Sequence, residues 1–490
     1  MSPSLETAAL TTKYPLAGLR TAPLCKGFDE FLRTPSYFVL LGFLTVFSVM
    51  RSLELVTYTV FILIGLFVVL LGSDLLPLMP LFILSYITPS PHNNPGLEEN
   101  TVFSGPQGIY LFTLAGIFAI CLVLRLCLDP VLGKKAFLKT KRTLLPGILV
   151  LGAGYLLAGA FSGYYTANGW RNALFGCIQF FSVGLLYFLL TGGVRWEKAP
   201  KEYLAWCAVC VGLVIVGQLM HIYHVNHVIK NGFILRERIY SGWGNYNNIG
   251  ALLTMTIPFA FQLSCRKKQA WVFELIALLL MGGVIMTCSR GSILVAVAVY
   301  TGTCGLMLYK SLGARSFRYI HIAVLVLAVL AVFFFRRELL NLFKSMLDRG
   351  LDPGGRETLY AEGWKQFTRF PIFGGSFFPV DFDVYGFSSV ENFTAIFPSR
   401  WHNTVIQLLA SCGIVGLLAY GFHRYQTLRM MLKNPTVGKA FISISLLALL
   451  TTSLLDCHFF NVGPVLFYSM ALAFAEKANT QTIKQDKTRR

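Results

Sequence analysis

The stretch His402-Asn403-Thr404-Val405-Ile406-Gln407-Leu408-Leu409-Ala410-Ser411-Cys412-Gly413-Ile414-Val415-Gly416 reads as the start of an apolar helix. It follows the longest polar interruption in the chain, which runs from about Arg336 to Trp401. Nearly everything else is apolar and helical in pattern, so a large polar segment that ends in a histidine at a membrane boundary is where chemistry is expected.

Composition fixes the class around that stretch. Of 490 residues, 55% are hydrophobic and only 13% charged, and the mean hydropathy is +0.61. Those values exclude an ordinary soluble protein. A bilayer core about 30 Å thick takes about 20 apolar residues per helix. Runs of this kind recur at about 37–50, 54–72, 75–88, 108–127, 145–162, 172–192, 203–221, 248–264, 269–287, 292–309, 319–335, 403–421, 438–455 and 460–475. The pattern predicts an all-α, polytopic membrane helix bundle of twelve to fourteen spans with one large, helix-containing loop.

The corresponding organisation is a cytoplasmic N-terminal segment over 1–35 and a transmembrane bundle over 36–335, with the informative motifs from about 210. A large extracytoplasmic loop over 336–402, C-terminal membrane helices over 403–476 and a basic cytoplasmic tail over 477–490 complete it. Residues 1–35 lack the compact apolar region and small-residue cleavage site of a signal peptide.

Orientation is read from Lys and Arg. With both termini cytoplasmic, inner segments hold Lys134, Lys135, Arg195, Lys198, Arg266, Lys267 and Lys310, whereas the loop 88–107 has neither residue type. His402 is then expected on the outer side. Retention of basic residues at the inner leaflet accounts for the net charge of +19 without a nucleic-acid partner.

The eleven cysteines show no disulfide framework. Cys207-Ala-Val-Cys210 lies in an apolar run, where cysteine is usually a small hydrophobe. His221, His224 and His227 lack acidic or cysteine companions at metal-site spacing and read as interfacial histidines. No metal or other cofactor is expected.

Arginines outside the basic inner loops are more informative. Arg236 and Arg238 lie in the outer loop that continues to Gly244-Asn245-Tyr246-Asn247, and Arg290 lies in the tight turn Cys288-Ser289-Arg290-Gly291-Ser292. Cations kept at such positions against the positive-inside trend are expected to face a cavity or partner, the alternative being snorkelling to headgroup phosphates. In the long loop, Asp352-Pro353-Gly354-Gly355 reads as a turn. A helix then runs from about Arg356 to Phe370, ended by Pro371, with Tyr360, Trp364 and Phe367 as an apolar stripe for the membrane surface or the bundle. Arg356 points to the same side. The segment from Phe373-Gly374-Gly375 to Phe397 is expected to form an irregular cover over the site.

Gly413-x-x-Gly416 offers a close approach to another helix. An imidazole titrates near neutral pH and takes a proton from a hydroxyl, while arginine forks bind phosphate oxygens. One histidine with several arginines therefore suits attack of a sugar hydroxyl on a glycan carried by a lipid pyrophosphate.

These same residues resemble the O-antigen ligase and O-antigen polymerase superfamily of bacterial membrane glycan transferases. The likeness covers about residues 210–420. His402-Asn403 with Gly413-x-x-Gly416 is similar to that family's histidine signature, and Ser289-Arg290-Gly291 resembles its Ser-Arg-Gly. Arg238 with Gly244-Asn245-Tyr246-Asn247 is similar to its arginine and Gly-Asn-Pro-Asn segment, with Tyr246 where proline is usual. Gly355-Arg356, Trp364, Pro371 and Gly374-Gly375 resemble its loop helix.

The resemblance implies a bundle of the GT-C type and a metal-independent, inverting transfer of a glycan from undecaprenyl pyrophosphate to an acceptor hydroxyl, at the outer side of a bacterial cytoplasmic membrane. It implies catalytic roles for His402 as base and for Arg238 and Arg290 on the pyrophosphate. Arg356, Arg236, Asn245, Asn247, Asn403 and Trp364 are the further candidate substrate-binding residues. The expected partners are that donor, a glycan, lipid or protein acceptor, and membrane lipid. A repeat-unit polymerase is the alternative reading and a glycan or ion transporter a third. Asp456 and His458, at an outer turn, are given no role.

Overall fold

The structure is a computed structural model. Apart from a few isolated positions it describes residues 18–89, 105–129, 142–163, 165–230, 233–265, 270–310, 356–378 and 401–489. The expected span 319–335 falls largely outside the described residues. The turn 352–355 and the cover beyond Phe378 lie wholly outside them.

The chain is an all-α polytopic membrane protein. Its described helices are α1 (Pro23–Phe31), α2 (Pro35–Arg51), α3 (Glu54–Leu70), α4 (Leu78–Ile87), α5 (Gly105–Leu128), α6 (Leu145–Phe161), α7 (Tyr165–Gly193) and α8 (Tyr203–Val225). They continue with α9 (Tyr246–Ser264), α10 (Ala270–Met286), α11 (Arg290–Tyr309), α12 (Arg356–Arg369), α13 (Thr404–Leu432), α14 (Val437–Leu455) and α15 (Val462–Arg489). Every expected span other than 319–335 is occupied by a helix.

Fewer of them cross a bilayer by length and hydropathy alone. Among the described residues six do so, or seven if α1 and α2, which meet at 73°, count as one broken span. The helices α3, α4, α6 and α10 are apolar but have 10–17 residues, short of the usual length. Apolar character in these helices reflects contact with neighbours as much as with lipid.

The hub is α9, packed against α8, α10, α11 and α14. Its sequence carries Asn247, Asn248, Thr254, Thr256 and Gln262 among apolar residues. Surrounded by helices, it buries Thr254 and Thr256 fully, and Thr254 donates to the Gly250 carbonyl one turn back. A second group joins α6, α7, α13 and α15. Before α9, two short hairpins, β1 (Ile229–Lys230) with β2 (Phe233–Ile234) and β3 (Tyr240–Ser241) with β4 (Gly244–Asn245), fold the arginine-bearing loop back onto the helix ends.

Helix α13 is broken at Gly413, whose φ of +63° and ψ of −162° suit only glycine. The segment Pro371–Gly375 enters the break. Ile414 N–H donates to Pro371 O at 2.8 Å, and Gly375 N–H donates to Ala410 O at 2.8 Å. The pair Gly413 and Gly416 thus divides its work: Gly413 receives a loop, and Gly416 lies 3.7 Å from the Cβ that a residue at Gly154 of α6 would carry.

Candidate active site

A cavity of about 620 Å³ opens where the first turns of α9, α11 and α12 and the residue His402 before α13 meet the end of α14. Its lining includes Arg236, Tyr246, Asn247, Arg290, Arg356, His402, Asp456 and His458. Residues more than 200 positions apart in the chain share this space.

His402 precedes α13 in the left-handed region, with φ +49°, a conformation that costs a non-glycine residue about 1 kcal/mol. Surrounding contacts hold it there. The Tyr360 hydroxyl of α12 donates to the His402 carbonyl at 3.3 Å, and Asn403 caps α13 by accepting from Val405 N–H and Ile406 N–H at 2.8 and 3.2 Å. The Asn403 amide also donates to Leu454 O at 2.9 Å, tying α13 to α14.

The imidazole Nδ1 lies 3.2 Å from Asp456 Oδ1. Asp456 is nearly buried, at 6% exposure, and three N–H donors converge on its carboxylate. Besides His402, Cys457 N–H donates to Oδ1 at 2.7 Å and Asn247 Nδ2 to Oδ2 at 2.8 Å. Burial alone would raise its pKa, but the hydrogen bond from His402, the neighbouring His458 and the Cys457 amide outweigh burial and hold it well below the usual carboxylate range. An ionised Asp456 accepts, so Nδ1 of His402 carries the proton and Nε2 is left as the basic nitrogen.

Asn247 links the two sides. Its Oδ1 accepts from Ser289 Oγ at 2.8 Å, and Ser289 is the residue before Arg290, the first of α11. The adjacent Asn248 Oδ1 lies 3.3 Å from His458 Nδ1. Helix α9 therefore sets Asp456, Arg290 and His458 against one another through its first turn.

Three arginines line the cavity: Arg236, Arg290 and Arg356. Arg238 is not among the lining residues. Its Nη1 donates to the carbonyls of Asn226 and His227, each at 3.3 Å, so it supports the end of α8 while Arg236, two residues earlier, takes the place on the cavity. The one-turn helix Arg236–Arg238 puts the two side chains on different sides.

The other candidates divide similarly. Asn247 reaches the cavity. Asn245 caps α9 by accepting from Asn247 N–H and Asn248 N–H at 3.1 and 3.2 Å, and Asn403 caps α13. Trp364 is 52% exposed and lies tilted beside Phe367, with ring centroids 5.2 Å apart. Helix α12 instead docks through Gly363, where a Cβ would stand 2.6 Å from Ile406 Cγ2, leaving Trp364 on its outer edge.

Asp456 and His458 are the residues the sequence reading passed over. The available signal was two ionisable groups, Asp456-Cys457-His458, between two apolar helices, a placement costly enough in a membrane to mark function.

No curated protein matches the chain. The family model described as O-antigen ligase matches residues 275–421, a stretch that contains Arg290, Arg356 and His402 and excludes Arg236, Asn247 and Asp456. Over that stretch, less than half of the chain, it is similar to the O-antigen ligase family, which supports an assignment to the O-antigen ligase and polymerase superfamily.

Proposed function

We propose that the protein transfers a glycan from undecaprenyl pyrophosphate to a hydroxyl of an acceptor outside the cytoplasmic membrane, in the manner of an O-antigen ligase. The observation that carries this reading is the convergence of a carboxylate-held imidazole and three guanidinium groups on one cavity. In the proposed step Nε2 of His402 takes the acceptor hydroxyl proton, and the oxygen attacks the anomeric carbon from the face opposite the pyrophosphate. The bond from anomeric carbon to phosphate oxygen breaks, and the lipid pyrophosphate leaves with the electron pair. The anomeric configuration inverts.

Asp456 stabilises the imidazolium as it forms. Arg236, Arg290 and Arg356 offer planar N–H forks to the departing phosphates, whose negative charge grows during the step. The similarity to the O-antigen ligase family supports a glycan-processing transferase; the lipid-pyrophosphate donor, the base and the acceptor are the content of the proposal.

The test is reconstitution of the full chain with a lipid-pyrophosphate oligosaccharide and candidate acceptors. Transfer onto a different acceptor supports a ligase, and lengthening of the lipid-linked repeat identifies a polymerase. His402→Ala is expected to cut turnover at least about 100-fold with folded protein retained in the membrane; undiminished turnover removes His402 as base.

A further inference from the structure

Arg236 has an unusual partner for a cavity-lining arginine. Its guanidinium carbon sits 4.0 Å from the centre of the Tyr246 ring, and Nη2 donates to the Tyr246 hydroxyl. Among the described residues the guanidinium forms no ion pair and no further hydrogen bond.

The choice of partner has a physical consequence. A carboxylate would fix the guanidinium but also neutralise it and occupy its N–H fork. An aromatic face holds the same group by its quadrupole, offsets part of the desolvation, and leaves the charge and every in-plane donor but the one on the Tyr246 hydroxyl available. Tyr246 is itself rigidly placed as the first residue of α9, directly after the Asn245 cap. The next residue, Asn247, is hydrogen-bonded to Asp456, the partner of His402. A single helical turn therefore registers the stacked arginine against the imidazole.

We infer that Tyr246 is a positioning residue, a platform that aims the free edge of Arg236 at an anionic pyrophosphate in the cavity. This rests on the donor chemistry proposed above and adds the element that orders one of its phosphate-binding groups.

A double-mutant cycle tests it, using the full chain in lipid nanodiscs and inorganic pyrophosphate as the probe in calorimetric titrations. Tyr246→Leu is expected to weaken binding about 10-fold, Arg236→Ala by a similar factor, and the double variant no more than Arg236→Ala alone. Tyr246→Trp, which keeps a face, is expected to bind within about threefold of the parent. If the Leu variant does not fold, Tyr246→Phe replaces it, with a loss of about threefold that vanishes in the Arg236→Ala background. Additive losses, an unaffected Tyr246→Leu protein, or no pyrophosphate binding by the parent would each overturn the inference.

Turnover of a lipid-pyrophosphate oligosaccharide provides the separate arm, in which loss of the platform in Tyr246→Leu is expected to raise KM for the donor and leave kcat nearly unchanged. Coupled pyrophosphate binding in a parent protein that transfers no glycan would keep the platform and remove the transferase reading. Transfer without coupling would do the reverse.

Discussion

At Asp456 a buried carboxylate is kept charged by three N–H donors, one of which is the candidate base. The sign of its linkage to pH follows directly. A carboxyl whose folded pKa is depressed contributes stability above its unfolded value, near 4, and loses that contribution as pH falls through the folded value. Asp456→Asn is therefore expected to melt at lower temperature than the parent at pH 7, with the gap narrowing below about pH 4; a gap that is constant with pH would contradict the depressed pKa. The same change is expected to lower kcat at least about 10-fold with little effect on donor KM, because it alters the tautomer and charge balance of His402 and touches no phosphate. Arg290→Lys should do the opposite and raise donor KM, since a point charge does not reproduce a planar fork. His402 and Arg290 were legible in the sequence as polar residues at apolar boundaries. Asp456 had the same signature, but its role depends on a contact across 54 positions, which no local spacing encodes. Arg236 and Arg238 were equally legible as a pair, and only the one-turn helix that carries them decides which side chain meets the cavity.

The elements that hold these residues were largely readable from apolar periodicity. The loop helix α12, expected from about Arg356 to Phe370, spans Arg356–Arg369 and ends before Pro371. Its docking face was readable in part: Tyr360 and Phe367 of the aromatic stripe are half-buried on the side where Gly363 meets Trp401 and Ile406, whereas Trp364 is exposed at its edge. The break in α13 was also hidden, because Gly413-x-x-Gly416 is a common helix-contact pattern and what occupies Gly413 is a loop from the preceding polar segment. A Cβ on residue 413 would come within 2.3 Å of Ile372 O, and the backbone angles there add strain of roughly 1–3 kcal/mol for any other residue. Gly413→Ala is thus expected to lower the melting temperature and turnover together. Gly421→Ala is the matched control, since nothing lies within 4 Å of its added carbon and alanine favours the helix by about 0.5–1 kcal/mol. Equal behaviour of the two variants in a thermal unfolding assay would show that the break is not a constraint.

Across the whole molecule, α9, α11 and α14 all put one end on the cavity: Tyr246, Arg290 and Leu455 line it. At their opposite ends Arg266 and Lys310 follow α9 and α11, and Lys439 lies in the first turn of α14. With 19, 20 and 19 residues respectively, each helix is close to 30 Å long at 1.5 Å per residue, about the thickness of the hydrocarbon core. The cavity and the basic ends therefore lie about one bilayer apart, and the proposed function, with Lys and Arg retained on the cytoplasmic side, requires the cavity to face the outer leaflet. That assignment makes a direct prediction. In intact cells expressing the chain with Cys127, the exposed native cysteine, changed to serine, Trp364→Cys on α12 is expected to react with a membrane-impermeant maleimide. Lys310→Cys, exposed at the far end of α11, is expected to react only after the membrane is permeabilised. The reverse order of labelling would put the cavity in the cytoplasm, where a glycan already translocated on its lipid carrier could not reach His402, and the proposed transfer would fall with it.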